Sequence, residues 1–253
     1  MELELWQFAV LFAAAFFGGF IDSIAGGGGL ISLPALLAVG IPPHVAIATN
    51  RFQGSFGSFT AALNFIRKGY VDAAEILRGV IFTFVGGLVG AYVLLLIDAK
   101  FLNYLIPILL LALLFYMIFS PNLGEAPARP KMSKKSFYAI FGLVLGFYDG
   151  FFGPGTGSFW TFALVGILGL YMKKAVAHTK VLNFTSNIVS LGVFIIGGQI
   201  LWLVGAVMAV GQIAGSFAGS SLVMRCDVKF VRKMLLFVVA ATILKLLYGL
   251  IAS

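Results

Sequence analysis

Apolar blocks at about residues 5–39, 45–66, 74–97, 101–119, 137–170, 175–196, 200–223 and 230–252 alternate with short polar turns. A helix needs about twenty apolar residues to cross a hydrocarbon core of roughly 30 Å, so the pattern predicts an all-α integral membrane protein. The first and fifth blocks are too long for one crossing, and glycines interrupt both. In the first, "GFIDSIAGGGGLISLP" (19–34) sets an aspartate and four consecutive glycines inside an apolar run. Each glycine costs a helix interior roughly 1 kcal/mol relative to alanine, and an ionised carboxylate in hydrocarbon costs at least about 2.5 kcal/mol. A membrane helix that is broken at this point accommodates both.

The blocks also repeat. "GGFIDSIAGGGG" (18–29) parallels "LGFYDGFFGPGT" (145–156), matching Asp22 to Asp149 and Gly26 to Gly153. "TNRFQGSFG" (49–57) parallels "TKVLNFTSN" (179–187), "GGLVG" (86–90) parallels "GSFAG" (215–219), and "DAKF" (98–101) parallels "DVKF" (227–230). Four matches in the same order divide the chain into a first repeat at 1–122, a linker at 123–135 and a second repeat at 136–253. Equivalent loops differ in charge. The chain start and residues 40–44 carry no base, whereas their counterparts carry Arg129, Lys131, Lys134, Lys135, Lys173 and Lys174. Conversely, Arg67, Lys68 and Arg78 face a base-free 197–208, and Lys100 stands alone against Arg225, Lys229, Arg232 and Lys233. Basic loops stay in the cytoplasm, so the halves are expected to be inverted repeats. Inversion requires an odd number of crossings per half. Each half therefore has three full helices plus a broken segment that enters and leaves on one side, as a re-entrant hairpin or as two short spans, giving eight to ten membrane segments. Both termini are then extracytoplasmic, and 120–136 is cytoplasmic.

Composition narrows the class. With 61% hydrophobic and 10% charged residues, and a mean hydropathy of +1.07, the chain is far from the ~25% charge of soluble domains. No polar stretch is long enough for a second, soluble domain. The acidic start "MELELWQ" lacks the basic region of a signal peptide, so the first helix is expected to be retained. The net charge of +8 comes from basic loops and does not indicate nucleic acid. The lone Cys226 cannot form an internal disulfide, and neither a metal site nor a cofactor is expected.

The broken segments concentrate the candidate chemistry. A new helix after Gly26, Gly27, Gly28 and Gly29 would present unpaired N–H groups and the positive end of its dipole, and glycines let a ligand approach closely. Gly155, Thr156, Gly157 and Ser158 repeat the arrangement with two hydroxyls. Two such ends near the midplane resemble the anion sites of transporters with discontinuous helices; close helix packing through small residues is the alternative. Outside the loops the basic residues are Arg51, Lys100, Lys180 and Lys245. Lys100 lies in a turn and Lys245 can snorkel outward. Arg51 and Lys180 occupy matching motifs, with Asn50, Gln53, His178, Asn183, Ser186 and Asn187 near them, and are candidates for holding an anion. Asp22 and Asp149 are either ion-pair partners of these bases or carriers of a coupling proton or sodium ion. His44 reads as an interfacial loop residue.

The stretches "GFIDSIAGGGGLISLPAL", "ATNRFQGSFGSF", "GFYDGFFGPGTGSF", "AHTKVLNFTSNI" and "VGQIAGS" resemble the TauE/SafE sulfite exporter (TSUP) family, in its YfcA-like branch, across nearly the whole chain. The resemblance implies a plasma-membrane secondary carrier of small anions, among them sulfite and organosulfonates such as sulfoacetate, acting as monomer or homodimer. Two rival classes stand beside it. An enzyme would need a nucleophile–base pair or a carboxylate cluster, and the membrane blocks offer one aspartate per half with no HExxH. A passive anion or small-solute channel could also use two helix ends; saturation and response to an imposed ion gradient distinguish a carrier from it.

Overall fold

The computed structural model describes residues 3–98, 100–102, 104–106, 108, 109, 112 and 129–225. The chain forms helices α1 (Leu5–Ala25), α2 (Gly29–Ala38), α3 (Pro43–Arg67), α4 (Ala73–Leu96), α5 (Lys134–Phe151), α6 (Thr156–Gly166), α7 (Met172–Ile196) and α8 (Trp202–Val223), with no strand among the described residues. Four of them, α1, α4, α7 and α8, are long and apolar enough to cross a membrane. Residues 100–102, 104–106, 108, 109 and 112 are helical and fall at the start of the predicted 101–119 helix. The remainder of that helix, residues 120–122, residues 123–128 of the linker, the 230–252 block, Cys226, Lys229, Arg232, Lys233 and Lys245 lie outside the described residues.

The two overlong blocks break where the glycines stand. Gly26 (φ 80°) ends α1 by turning left-handed, and its N–H donates to the Asp22 carbonyl at 2.8 Å. L side chains rarely adopt that conformation, and glycine does so freely. The chain then folds back on itself: a Cβ on Gly28 would lie 2.5 Å from the Gly18 carbonyl oxygen, ten residues earlier. Helix α2 thus starts beside the middle of α1, and its Ser32 bonds Asn50 on the following helix at 2.7 Å. At 1.5 Å per residue α2 is about 15 Å long, half a hydrocarbon core. The first block is a long helix and a half-length return. In the second block α5 ends at Phe151, Gly153 (φ 93°) and Gly155 (φ 80°) make the turn, and α6 returns for 11 residues.

Glycine seams join the halves crosswise. On α8, Gly211 lies against Phe12 of α1, Gly215 against Phe16 and Gly219 against Phe20, each touching main-chain atoms. Numbers rise together on both helices, so α1 and α8 run parallel. The matching seam sets Gly86 and Gly90 of α4 against the main chain of Leu143 and Phe147 on α5, again in parallel. Small residues permit such backbone-to-backbone approach, as in membrane helix pairs generally. Between α3 and α7 the order reverses: Phe59 meets Phe184, and Asn187 donates to Ser58, while Thr49 accepts from the Leu201 N–H beyond the end of α7. Phe52 meets Gly205 and Asn64 donates to Ser220, so α3 runs with α8, while Gly79 meets Leu182 and Leu95 meets Gly197, so α4 runs with α7; helices α1, α3 and α8 therefore run one way and α4, α5 and α7 the other.

Polarity is distributed inside out. Helix α4 exposes Leu77, Ile81, Phe84, Leu88 and Tyr92 along one face, an arrangement that suits lipid. The interior helices α3 and α7 bury Asn50, Arg51, Gln53, Ser55 and Ser58, and His178, Lys180, Asn183, Ser186 and Ser190. Helix α3 also carries Asn64 and Arg67 toward its C-terminal end and, though 25 residues long, is not among the four strongly apolar helices.

Two outcomes follow. Gly215→Val forces a side chain into the Phe16 main chain and should lower the melting temperature by the equivalent of about 1–3 kcal/mol or more. Gly192→Ala meets open space and should be neutral or gain up to about 1 kcal/mol; equal melting temperatures for the two variants would refute the seam. For topology, single cysteines replacing Pro42 or Gln199, with Cys226 changed to Ser, should react with an impermeant maleimide on intact cells. Those replacing Lys68 or Lys135 should react only after permeabilisation, and external labelling of both would overturn the inverted arrangement.

Candidate functional site

The turns of the two broken segments meet. A Cβ on Gly26 would stand 2.5 Å from Gly157 Cα, and one on Gly157 would stand 2.5 Å from Gly26 Cα. The halves touch here backbone to backbone, so these two glycines serve close packing as well as bordering the adjacent space. Gly29 packs against Pro154, 3.1 Å from a virtual Cβ. Beside this contact lies a cavity of about 40 Å³, room for roughly three waters at 10–15 Å³ each. Helix turns supply Gly26, Gly29, Gly153, Pro154, Gly155 and Gly157; α1 and α5 supply Asp22 and Asp149. The remainder of the wall is polar: Ser32 from α2, Asn50, Arg51, Gln53 and Gly54 from α3, Asn183 and Asn187 from α7, and Gln212 from α8.

Each base is bound to the aspartate of the other half. Arg51 Nη1 sits 2.8 Å from Asp149 Oδ1 and 2.8 Å from Asn187 Oδ1. Lys180 Nζ sits 2.8 Å from Asp22 Oδ2 and also donates to the Asp22 main-chain carbonyl. Asp22 Oδ1 accepts the Gly28 N–H at 3.3 Å, so one donor of the first broken end is already engaged by a carboxylate of the protein. Asp149 Oδ2 accepts the Ser186 hydroxyl. Both aspartates are therefore ion-pair partners of the predicted bases, and the two pairs together are neutral.

The two bases differ in what they leave free. Lys180 is fully buried, is absent from the cavity wall, and ties the end of α1 to α7. Arg51 lines the cavity and is 3% exposed; its Nε and Nη2 have no hydrogen-bond partner among the described residues. A guanidinium offers donors in a planar fork that matches two oxygens of one oxoanion, and here one edge of the fork is unfilled. Gly153 packs on the guanidinium, where a Cβ would come within 2.5 Å of Cζ. Around the cavity, Ser32 Oγ and Gln53 Nε2 each donate to Asn50 Oδ1 at 2.7 Å, which leaves the Asn50 amide NH₂ as a further donor on the wall. Gln53 Oε1, Asn183 Oδ1 and Gln212 Oε1 are buried without partners among the described residues.

Of the residues anticipated from sequence, Gly26, Gly29, Asn50, Arg51, Gln53, Gly155, Gly157, Asn183, Asn187, Asp22 and Asp149 converge on this cavity. Gly27, Gly28, Thr156, Ser158, His178 and Lys180 do not line it. Thr156 closes its own turn by donating to the Gly153 carbonyl at 2.6 Å. His178 pairs with the Tyr138 hydroxyl at 3.1 Å. Ser32, Gly54, Gly153, Pro154 and Gln212 are the additions. Gln212 had a legible signal, because it is the one amide in the middle of the apolar run "WLVGAVMAVGQIAGSFAG", and polar groups inside membrane helices mark functional sites.

The sequence profile of the sulfite exporter TauE/SafE family matches residues 11–246. A "Probable membrane transporter protein" of Haemophilus influenzae is 42% identical over 252 residues, covering 98% of this chain and 97% of that one. The "Probable membrane transporter protein YfcA" of Escherichia coli is 44% identical over 239 residues, 94% of this chain and 89% of its own. "Probable membrane transporter protein YunE" of Bacillus subtilis is 25% identical over 246 residues, 85% of this chain and 88% of its own. No solved structure matches.

Gly153→Ala should be among the most disruptive single-methyl changes here. It strains a φ of 93° and pushes the new methyl into Arg51. A substantially lower melting temperature is expected, whereas Gly54→Ala, whose nearest neighbour would be Asn187 at 3.8 Å, should remain near the parent. Parental stability in Gly153→Ala would show that Arg51 is free to move.

Proposed function

The chain belongs to the sulfite exporter TauE/SafE family of membrane transporters, and on that premise we propose that it is a secondary transporter of small oxoanions across the plasma membrane. Sulfite and small sulfonates are the substrates that this reading favours. The observation that carries it is the unfilled Nε–Nη2 edge of Arg51, buried on the wall of a polar cavity where two broken helices meet. A buried, unpartnered charged donor is costly, and an anion in the cavity would satisfy it. Alternating access follows from two inverted repeats that rock about the shared site, a reading supported by the opposite directions of α1 and α5, α3 and α7, and α4 and α8. Asn50, Asn183, Asn187 and Gln53 would complete the first contacts of the anion. The amides can present either oxygen or NH₂ to it.

The test compares the two bases. Arg51→Gln should insert and purify yet bind sulfite at least about tenfold more weakly, since charge-assisted bonds are roughly twice as strong as neutral ones. It should also lose the sulfite-induced rise in melting temperature. Lys180→Gln leaves Asp22 with a broken buried pair, a loss of about 3–5 kcal/mol, and should chiefly melt earlier while its folded fraction still binds. In proteoliposomes the parent should show saturable sulfite flux that responds to an imposed ion gradient. Unchanged sulfite affinity in Arg51→Gln would remove the proposed site, and flux that never saturates would make the protein a channel.

A further inference from the structure

The two crossed ion pairs look alike, yet their hydrogen-bond partners differ in one chemical respect. Both partners of the Asp22 carboxylate can only donate: the Lys180 ammonium at 2.8 Å and the Gly28 N–H at 3.3 Å. A proton on Asp22 would find no acceptor in either. Asp149 is bound on Oδ1 by the Arg51 guanidinium, also donor-only, but on Oδ2 by the hydroxyl of Ser186. A hydroxyl can donate or accept. Ser186 Oγ lies 3.1 Å from the Asn183 carbonyl and 3.3 Å from the Leu182 carbonyl, so its hydrogen has a second place to go. With Asp149 protonated on Oδ2, the acid donates to Ser186 Oγ, Ser186 donates to the Asn183 carbonyl, and Arg51 still donates to Oδ1. Both protonation states are satisfied by the same set of partners.

From this asymmetry we propose that Asp149 is a proton-binding site coupled to anion occupancy at Arg51, and that Asp22 is a structural partner. The coupling rests on the anion-carrier reading given above. Its logic is charge. Lys180, Asp22, Arg51 and Asp149 sum to zero when the cavity is empty of anion. A monoanion on the free edge of Arg51 makes the sum −1 and sets a second negative group on the guanidinium that already holds Asp149. Two anionic groups sharing one site favour protonation of one of them. A proton drawn from water entering the cavity binds Asp149 Oδ2 and restores zero, so the loaded site moves between the two sides as a neutral unit. Anion affinity consequently rises as pH falls.

Among the described residues, the charged and titratable groups around Asp149 are few. Arg51 on α3 touches it, Asp22 on α1 with Lys180 of α7 lies within electrostatic range, and Tyr148 precedes it on α5. Tyr148 donates its hydroxyl to the Pro154 carbonyl at 2.9 Å. From α4, Thr83, Gly86, Gly87 and Gly90 pack at this level of α5 and none of them is charged; the α4 carboxylate Glu75 is held by Lys134 and Lys174. Ser186 is the hydroxyl that touches the Asp149 carboxylate.

Infrared difference spectroscopy of the full-length protein in lipid, titrated from acid to mildly alkaline pH with and without sulfite or methanesulfonate, tests the assignment. Among the carboxyl C=O bands, one should titrate in the parent and in Asp22→Asn and be missing in Asp149→Asn. Either anion should raise its midpoint by about one pH unit or more, as for carboxylates that share a site with another negative group. If Asp149→Asn does not purify folded, Asp149→Glu must displace both the band and its midpoint while Asp22→Glu leaves them in place. A set of titrating carboxyl bands that is unchanged in Asp149→Asn, or unchanged in Asp149→Glu, overturns the assignment. A midpoint that neither anion moves, in protein that both anions still protect from heat, overturns the coupling and leaves the anion site standing. Absence of both heat protection and flux with either anion overturns the carrier reading, and the coupling with it.

Discussion

Two helices of this protein stop in its interior, and their broken ends must be satisfied where water is scarce. Irregular backbone at membrane depth survives only when it is buried in protein or lines a wet cavity. Here it does both. Gly26 and Gly157 press main chain against main chain, Asp22 takes the Gly28 N–H, and Lys180 takes the carbonyl and carboxylate of Asp22. The seams of Gly86, Gly90, Gly215 and Gly219 follow from the same need, because they draw α4 onto α5 and α8 onto α1 closely enough for the turns to meet. The apolar exterior is ordinary for a membrane protein; the interior geometry is set by where the two turns touch.

Much of this was legible in the sequence because it is periodic or local. Helix positions followed from block length, and the breaks from the glycines and Pro154, since left-handed turns at Gly26 and Gly153 leave a compositional trace. Arg51, Asn50, Gln53, Asn183 and Asn187 stood out as polar residues in apolar helices, and all five reached the cavity. What could not be read was partnership. Arg51 and Asp149 are 98 residues apart, and Lys180 and Asp22 are 158 apart, so their pairing depends on the crossed packing of the halves. Ser32 was hidden for another reason: a serine in an apolar helix usually bonds its own backbone, and Ser32 does bond the Gly28 carbonyl, but it also bonds Asn50.

The repeat itself misleads about the bases. Aligning Thr49 with Thr179 matches Lys180 to Asn50 and Arg51 to Val181, so the two cations are offset by one position on equivalent helices. One residue on an α-helix is a rotation of about 100°. That rotation takes Lys180 away from the cavity to the end of α1, while Arg51 turns its guanidinium to Asp149 and the cavity. An internal duplication would begin with two equal sites facing each other across the contact. The one-residue offset makes one cation a structural tie and leaves the other on the cavity wall with Nε and Nη2 unpartnered among the described residues. The partner carboxylates diverge in the same way. Asp22 meets an ammonium and an amide, which only donate, whereas Asp149 meets a guanidinium and a hydroxyl, the second of which can also accept. A buried cation with open donors thus stands beside a carboxylate that meets a hydroxyl, while the other cation and carboxylate are closed on each other and on main chain.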